Sequence, residues 1–415
     1  MGPGRLPGGV IRRAALALVL AGLAACGGPP APPPPAPVRD TVAGRPGPPS
    51  RPPVPPAPLP PLPPPSPAAL RLAFVGDVNL GTATLPDGIP SDSGRGLLDR
   101  AEPYLTGDLV VGNFEGVLAD SGTSEKCRRM RAEDEPRRKP GRRRRPAQDT
   151  VATRPGCYAF RTPTALAPRL VDAGFTHLNL ANNHANDYGP VGRESTERIL
   201  DSLGLGRYGP LGHVAIDTVR RGDSLATVGL LGFTTYPYAY NLLDIARSAA
   251  VVDSLRPLVD LLVVTFHGGS EGARALHVPE IAESLGREPR GDLRRWARAV
   301  IDAGADAVIG HGPHVLRGIE FYRGRPIAYS LGNFVTYRGF NLDGPLGLTG
   351  VLQLEFAPDR RLRSARLVPM RQRPREGPAP DPERAALDLV RRLSREDFGA
   401  GAAQVTEDGA ILPPP

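Results

Sequence analysis

Five apolar runs in this chain each end at, or just before, a side chain able to hold a proton or a cation. That placement constrains the fold more than any other feature. RLAFVGD (71–77) ends at Asp77, and DLVVGNFEG (108–116) carries Asn113 and Glu115. FTHLNLAN (175–182) leads into Asn183 and His184, DLLVVTFHGG (260–269) carries His267, and ADAVIGHGPH (305–314) carries His311 and His314. Stretches with helical spacing separate them, at 162–174, 191–204 and 292–304. Further strands are expected over 224–233, in a hairpin over 318–334 turning at Arg323-Gly324, and near 348–357 and 362–369. A last helix is expected at 381–394, ahead of a Gly/Pro-rich tail. Strand–helix alternation of this kind predicts an α/β layered fold with late antiparallel strands added to the sheet.

In α/β sheets, ligands gather outside the carboxyl ends of strands, because loops converge there while the strands stay rigid. Apolar packing gives no reason to deliver carboxylates, amides and imidazoles to that edge. Divalent cations do, since they take mixed oxygen and nitrogen ligands and leave positions open for water and substrate. Gly268 and Gly269 after His267 allow close backbone approach to a ligand, and His311-Gly312-Pro313-His314 sets two imidazoles on a short, restricted loop. His177 lies inside a strand and reads as a satisfied, half-buried histidine. His213 and His277 sit in loop-like sequence with no such setting.

GDVNLG (76–81), GNFEG (112–116), NLANNHANDYG (179–189), His267, VIGHGPHVLRGIE (308–320) and YSLGNFV (329–335) occur in that order. This set resembles the capsule-synthesis CapA family, from about Arg71 to Phe356. The family is similar to the calcineurin-like metallophosphoesterases. The resemblance therefore implies a sandwich of two mixed β-sheets flanked by helices and a function in poly-γ-glutamate capsule production at the cell surface. It also implies one or more divalent metal ions, of the Mn, Fe, Zn or Mg class. Under it Asp77 is the first-strand metal ligand, and Asn113 or Glu115 stands where a bridging carboxylate is expected. Asn183 is a ligand, His184 a general acid or charge stabiliser, and His267, His311 and His314 the later ligands. Asp187 either orients His184 or caps the following helix. The chain departs from the usual pattern at Asn79, where a histidine is common, at Glu115, where Asp is usual, and at Gly312, where many relatives have His. YSLGNF reads as architectural, with Asn333 bonding loop backbone near the site.

The domain organisation follows from composition. Residues 1–26 combine Arg5, Arg12 and Arg13 with a short apolar stretch, and Leu23-Ala24-Ala25-Cys26-Gly27 resembles a lipobox in which Cys26 is acylated. Residues 27–68 are a Pro-rich linker whose proline-dominated part, 29–66, is at most ~120 Å long if polyproline-like. The main domain is expected over 69–372 with a basic insert at 121–157, and residues 373–415 as a C-terminal helix and tail. The net charge of +8 is local: 126–145 holds eleven basic and three acidic residues, and the remainder is balanced. The high pI is therefore no nucleic-acid signature. Cys127 and Cys157 flank the insert and are candidates for a disulfide in an exported protein.

Two functions remain open at this level. One is a lipid-anchored protein of capsule biosynthesis with a metal-dependent hydrolase site, facing the periplasm or the exterior. The other is a non-catalytic subunit of a capsule synthesis or export complex that holds an acidic polymer such as poly-γ-glutamate. The basic insert supports the second weakly, since a charge run is more often a solvated loop.

Overall fold

The computed structural model describes residues 69–128, 157–221 and 224–415, all within one compact unit. The leader with Cys26, the Pro-rich spacer and most of the basic insert lie outside the described residues. Among the described residues no helix is long and apolar enough to cross a membrane.

Fifteen strands build two mixed sheets. In chain order they are β1 (Leu70–Asn79), β2 (Leu109–Phe114), β3 (His177–Asn179), β4 (Gly206–Tyr208) and β5 (Ala215–Arg221). Then come β6 (Ser224–Thr234), β7 (Tyr240–Asn241), β8 (Leu261–His267), β9 (Ala307–His311) and β10 (Ile319–Tyr322). The last are β11 (Arg325–Ala328), β12 (Asn333–Thr336), β13 (Leu348–Phe356), β14 (Leu362–Arg373) and β15 (Gly377–Pro380). The first sheet runs β15-β14-β13-β1-β2-β3-β4, with β12 also pairing β1; the second runs β10-β11-β9-β8-β6-β5, with β7 on β6. β1, β2, β3 and β4 are parallel to one another, as are β6, β8 and β9. The late strands β13, β14 and β15 extend the first sheet antiparallel. This is the expected architecture of two mixed sheets flanked by helices.

Side-chain alternation explains why the sheets stack and where the site falls. Leu109 and Val111 of β2, Leu261 and Val263 of β8, and Ala307 and Ile309 of β9 share one buried core between the sheets. Two residues further along the same rows stand Asn113, Thr265 and His311, and two more bring Glu115 and His267, because successive odd positions share a face. Each inner row is apolar along most of its length and polar at its carboxyl end. The outer faces are covered by helices. Leu200 of the helix Gly189–Ser202 and Leu170 pack on the first sheet, while Val252 of Ile245–Leu255 and Trp296 of Leu293–Asp302 pack on the second. Trp296 is fully buried and meets Phe233 and Phe266 edge-on, with centroids 5.2 and 5.3 Å away.

Two expectations need correction, and one helix was missed. The helix expected over 162–174 is a 3₁₀ turn, Thr164–Leu166, and one short α-turn, Pro168–Asp172; Pro163 and Pro168 interrupt the backbone donors. The helix Ile245–Leu255 was hidden because its apolar residues are small and interleaved with polar ones; Asp244 starts it by accepting from the Arg247 N–H. The boundary at 372 is also wrong. Leu387, Val390 and Leu393 of the helix Ala385–Phe398, with Val405 and Ile411 beyond it, belong to the core between the sheets. Residues 373–415 are part of the domain rather than an appended helix and tail.

Candidate metal centre

The parallel strands of both sheets bring their carboxyl ends to one place. Asp77 is in register with Asn113 on one side and Asn333 on the other, and His267 with His311. β1 carries one extra residue between Phe74 and Asp77, since these two pair with Val111 and Asn113 of β2. Val75 and Val78, three apart, both pack outward, so the irregularity absorbs one residue and turns Asp77 towards the second sheet. The glycine before it is required: a Cβ on Gly76 would lie 1.8 Å from the Gly332 carbonyl, which accepts the Asp77 N–H at 2.9 Å. YSLGNF is thus the rail on which Asp77 is seated.

Asp77, Glu115, His267 and His311 are almost wholly buried and mutually close. His314 Nδ1 lies 2.9 Å from Asp77 Oδ2 and 3.1 Å from Asn333 Oδ1. His311 Nδ1 is 3.7 Å from Asp77 Oδ1, and His267 Nδ1 is 3.2 Å from Glu115 Oε1. Ligand atoms of Asp77, Glu115 and His314 fall within 4.8 Å of one another, a spacing that suits a shared cation. Glu115 Oε2, Asn183 Oδ1, His267 Nε2 and His311 Nδ1 are buried and lack any hydrogen-bond partner. Buried polar atoms are normally satisfied, so orphans on Glu115, His267 and His311, all in contact with the Asp77 cluster, are the signature expected of metal ligands. The donor set, carboxylate and amide oxygen with imidazole nitrogen, fits a divalent ion of the classes named above.

Titration behaviour follows from this crowding. Burial, reinforced by the Asp77 charge, pushes Glu115 up to about 8. Burial also opposes charge on His314, but the Glu115 and Asp77 carboxylates outweigh it and raise its imidazole to about 10. Burial would raise Asp77 too, yet the hydrogen bond and charge of His314 hold it below the usual range. His267 is pushed down to about 3 by burial and the Arg290 guanidinium, and His311 to about 4 by burial.

Asn113 is corrected as a ligand. Its Oδ1, the atom a cation would need, accepts from Asn179 Nδ2 at 3.0 Å and Asn182 Nδ2 at 3.1 Å. Its Nδ2 donates to Asp77 Oδ1 at 2.8 Å and Glu115 Oε1 at 3.1 Å. Asn113 organises the two carboxylates. Asn79 is likewise spent on backbone, donating to the Glu115 carbonyl at 2.6 Å and accepting from Gly81 N at 3.1 Å.

The Asp187 alternatives resolve. Its Oδ2 accepts from His184 Nδ1 and from the Phe160 N–H, both at 2.8 Å, whereas the helix Gly189–Ser202 has no side-chain cap. Asp187 therefore orients the ring, which packs against Phe160 with centroids 4.4 Å apart. Asn333 does bond loop backbone, donating to the carbonyls of His314 and Leu346 at 3.2 Å each. His177 is satisfied by Thr176 Oγ1 at 2.9 Å and Asp217 Oδ2 at 2.7 Å, at the far end of β3. His213 faces Arg207 and His277 faces Asp397, both outside the cluster. A disulfide joins Cys127 to Cys157.

Sequence reasoning missed several residues at the site. Asn182 accepts from the N–H groups of His184 and Ala185 at 3.0 Å and so shapes the loop that presents Asn183. Glu271 brings Oε2 to 4.0 Å from His314 Nε2 and is held at 2.5 Å by Arg290, a fully buried guanidinium. Glu271 stands four residues after His267, which was the available hint; nothing in the sequence singles out Arg290.

Residues 145–338 match the family described as bacterial capsule synthesis protein PGA_cap. The match covers under half of the chain and is a likeness to that family. The chain is 35% identical over 184 residues to the PGA biosynthesis protein CapA of Bacillus subtilis, across 41% of this chain and 45% of that protein. It is 32% identical over 186 residues to the capsule biosynthesis protein CapA of Bacillus anthracis, across 41% of this chain and 42% of that one. The chain thus spans under half the length of these CapA relatives. Among solved structures it is similar to the NAD nucleotidase of Haemophilus influenzae, with TM-score 0.37, 14% identity and coverage of 78% of this chain and 63% of that one. The 5'-nucleotidase precursor of Thermus thermophilus is similar at TM-score 0.35, with 15% identity and coverage of 78% and 59%.

Proposed function

We propose that this chain is a membrane-anchored CapA-family protein of poly-γ-glutamate capsule or cell-surface polymer biosynthesis, carrying a divalent-metal-dependent, phosphoesterase-like hydrolase site. The observation that carries the hydrolase reading is the convergence of partnerless buried donors on Glu115, His267 and His311 beside Asp77 and His314. A divalent ion held by these residues supplies Lewis acidity to a phosphoryl oxygen and makes water nucleophilic at neutral pH. The proton work falls to His184. With Nδ1–H donated to Asp187, the doubly protonated ring hands its Nε2 proton to the leaving oxygen and returns to the neutral Nδ1–H form, and Asp187 fixes the ring for that transfer. The leader ending at Cys26 supports export and lipid anchoring, and the Cys127–Cys157 bridge supports an oxidising compartment.

The test is hydrolysis of bis(p-nitrophenyl) phosphate by the metal-loaded protein. The expected result is turnover that disappears on chelation, on Asp77→Ala and on His184→Ala. A wild-type protein that takes up metal and turns over no phosphoester or amide in a broad screen contradicts the hydrolase reading.

The second reading is a non-catalytic subunit that holds an acidic polymer within a capsule synthesis or export complex. It is favoured by Asn79 and Asn113, whose amides are committed elsewhere and give fewer ligands than a two-ion site requires. Deleting 129–156 and measuring poly-γ-glutamate binding at low and high salt tests the basic insert. Unchanged, salt-independent binding removes it from the reading.

A further inference from the structure

Both arms of the disulfide-closed loop grip the segment that carries His184 and Asp187. From the first arm, Lys126 Nζ lies 3.1 Å from Asp187 Oδ1, 3.4 Å from the Asn183 carbonyl and 3.4 Å from His184 Nδ1. The Lys126 N–H and Ser124 Oγ both donate to the Asp187 carbonyl, at 3.3 and 3.0 Å. From the second arm, the Phe160 N–H donates to Asp187 Oδ2 while the Phe160 ring lies against His184. The disulfide joins Cys127, next to Lys126, to Cys157, three residues before Phe160.

Asp187 is fully buried, so its carboxylate needs a countercharge as well as hydrogen bonds. Lys126 is the cation paired with it, through the oxygen that His184 and Phe160 leave free. The His184 Nδ1–H already points at Asp187, so the ammonium beside that nitrogen pairs by charge with Asp187 Oδ1 and donates to the Asn183 carbonyl instead. Lys126 thereby ties the oriented imidazole to the backbone of Asn183.

We propose that Lys126 is a positioning residue for the His184–Asp187 pair, and that the Cys127–Cys157 bridge holds it in place. The disulfide-closed loop then completes the site rather than merely decorating its surface. The turnover part of the test rests on the hydrolase reading; the spectroscopic part does not.

The full chain has seven histidines, few enough to resolve in long-range ¹H–¹⁵N spectra of the metal-free, histidine-labelled protein, with His184 assigned by its loss in His184→Gln. The wild type is expected to show one His184 tautomer, protonated at Nδ1. Lys126→Met is expected to mix tautomers or lose the Nδ1–H resonance, Lys126→Arg to retain them, and Cys127→Ser/Cys157→Ser to behave like Lys126→Met. In the turnover assay kcat is expected to fall about tenfold in Lys126→Met with KM and metal stoichiometry unchanged, the range seen when the partner of a positioned histidine is removed. A Lys126→Met spectrum identical to the wild type overturns the proposal, as does a rise in KM alone, which would make Lys126 a substrate contact. If the double-serine variant does not fold, the two Lys126 variants decide. A wild type with no turnover sinks the hydrolase reading and leaves the tautomer test intact.

Discussion

Asn113 illustrates what single residues at this site hide. Its position at the end of β2 made it a ligand candidate, but two asparagine donors occupy its oxygen and it positions Asp77 and Glu115 instead. The titrations of those neighbours give a pH prediction. His314 is raised from 6.5 to about 10 and Glu115 from 4.5 to about 8, so above pH 6.5 the folded, metal-free domain binds protons that the unfolded chain has released. Stability from these two groups falls as pH rises from 6.5 to 8. Ligation requires their deprotonation, so saturating metal is expected to oppose that decline, and metal affinity to strengthen over the same interval. Thermal melts at pH 6.5 and 8, with and without divalent ion, check the sign; parallel pH dependences in the two states contradict it.

At the scale of elements, the alternating rows of β2, β8 and β9 were legible in the sequence, since period two alone puts Asn113, Glu115, His267 and His311 above an apolar inner face. The turn of Asp77 was not, because the extra residue between Phe74 and Asp77 shows only once β1 is paired with β2. Lys126 was legible only as one charge in a basic run; its contact with Asp187 appears once the loop is closed. Two substitutions separate packing from the site. Trp296→Ala removes a fully buried indole from the outer face of the second sheet and is expected to cost ~3–5 kcal/mol in denaturant unfolding. Metal stoichiometry should not change, because Trp296 touches none of the donors. Gly76→Ala drives a methyl into the Gly332 carbonyl and is expected to lower both stability and metal affinity. Loss of stability with metal affinity intact would separate β1 from the site.

For the whole molecule, the family blocks located the domain but misjudged where it ends. Residues 373–415 carry no motif, and a lone amphipathic helix before a Gly/Pro-rich stretch looks like an appendage. In the fold, Leu387, Val390, Leu393, Val405 and Ile411 join the core between the sheets. A fragment of 69–372 is therefore expected to be aggregated or to bind hydrophobic dye, whereas 69–415 unfolds cooperatively; a well-folded 69–372 would restore the earlier boundary. The central claim is that both sheets aim their strand ends at a single cation. Anomalous X-ray scattering from crystals grown with Mn²⁺ or Zn²⁺ tests it most directly. The account predicts a peak within about 2.0–2.3 Å of donor atoms from Asp77 or Glu115 on the first sheet and His267 or His311 on the second. A map with no peak there, or with ions bound only at the surface, would contradict it.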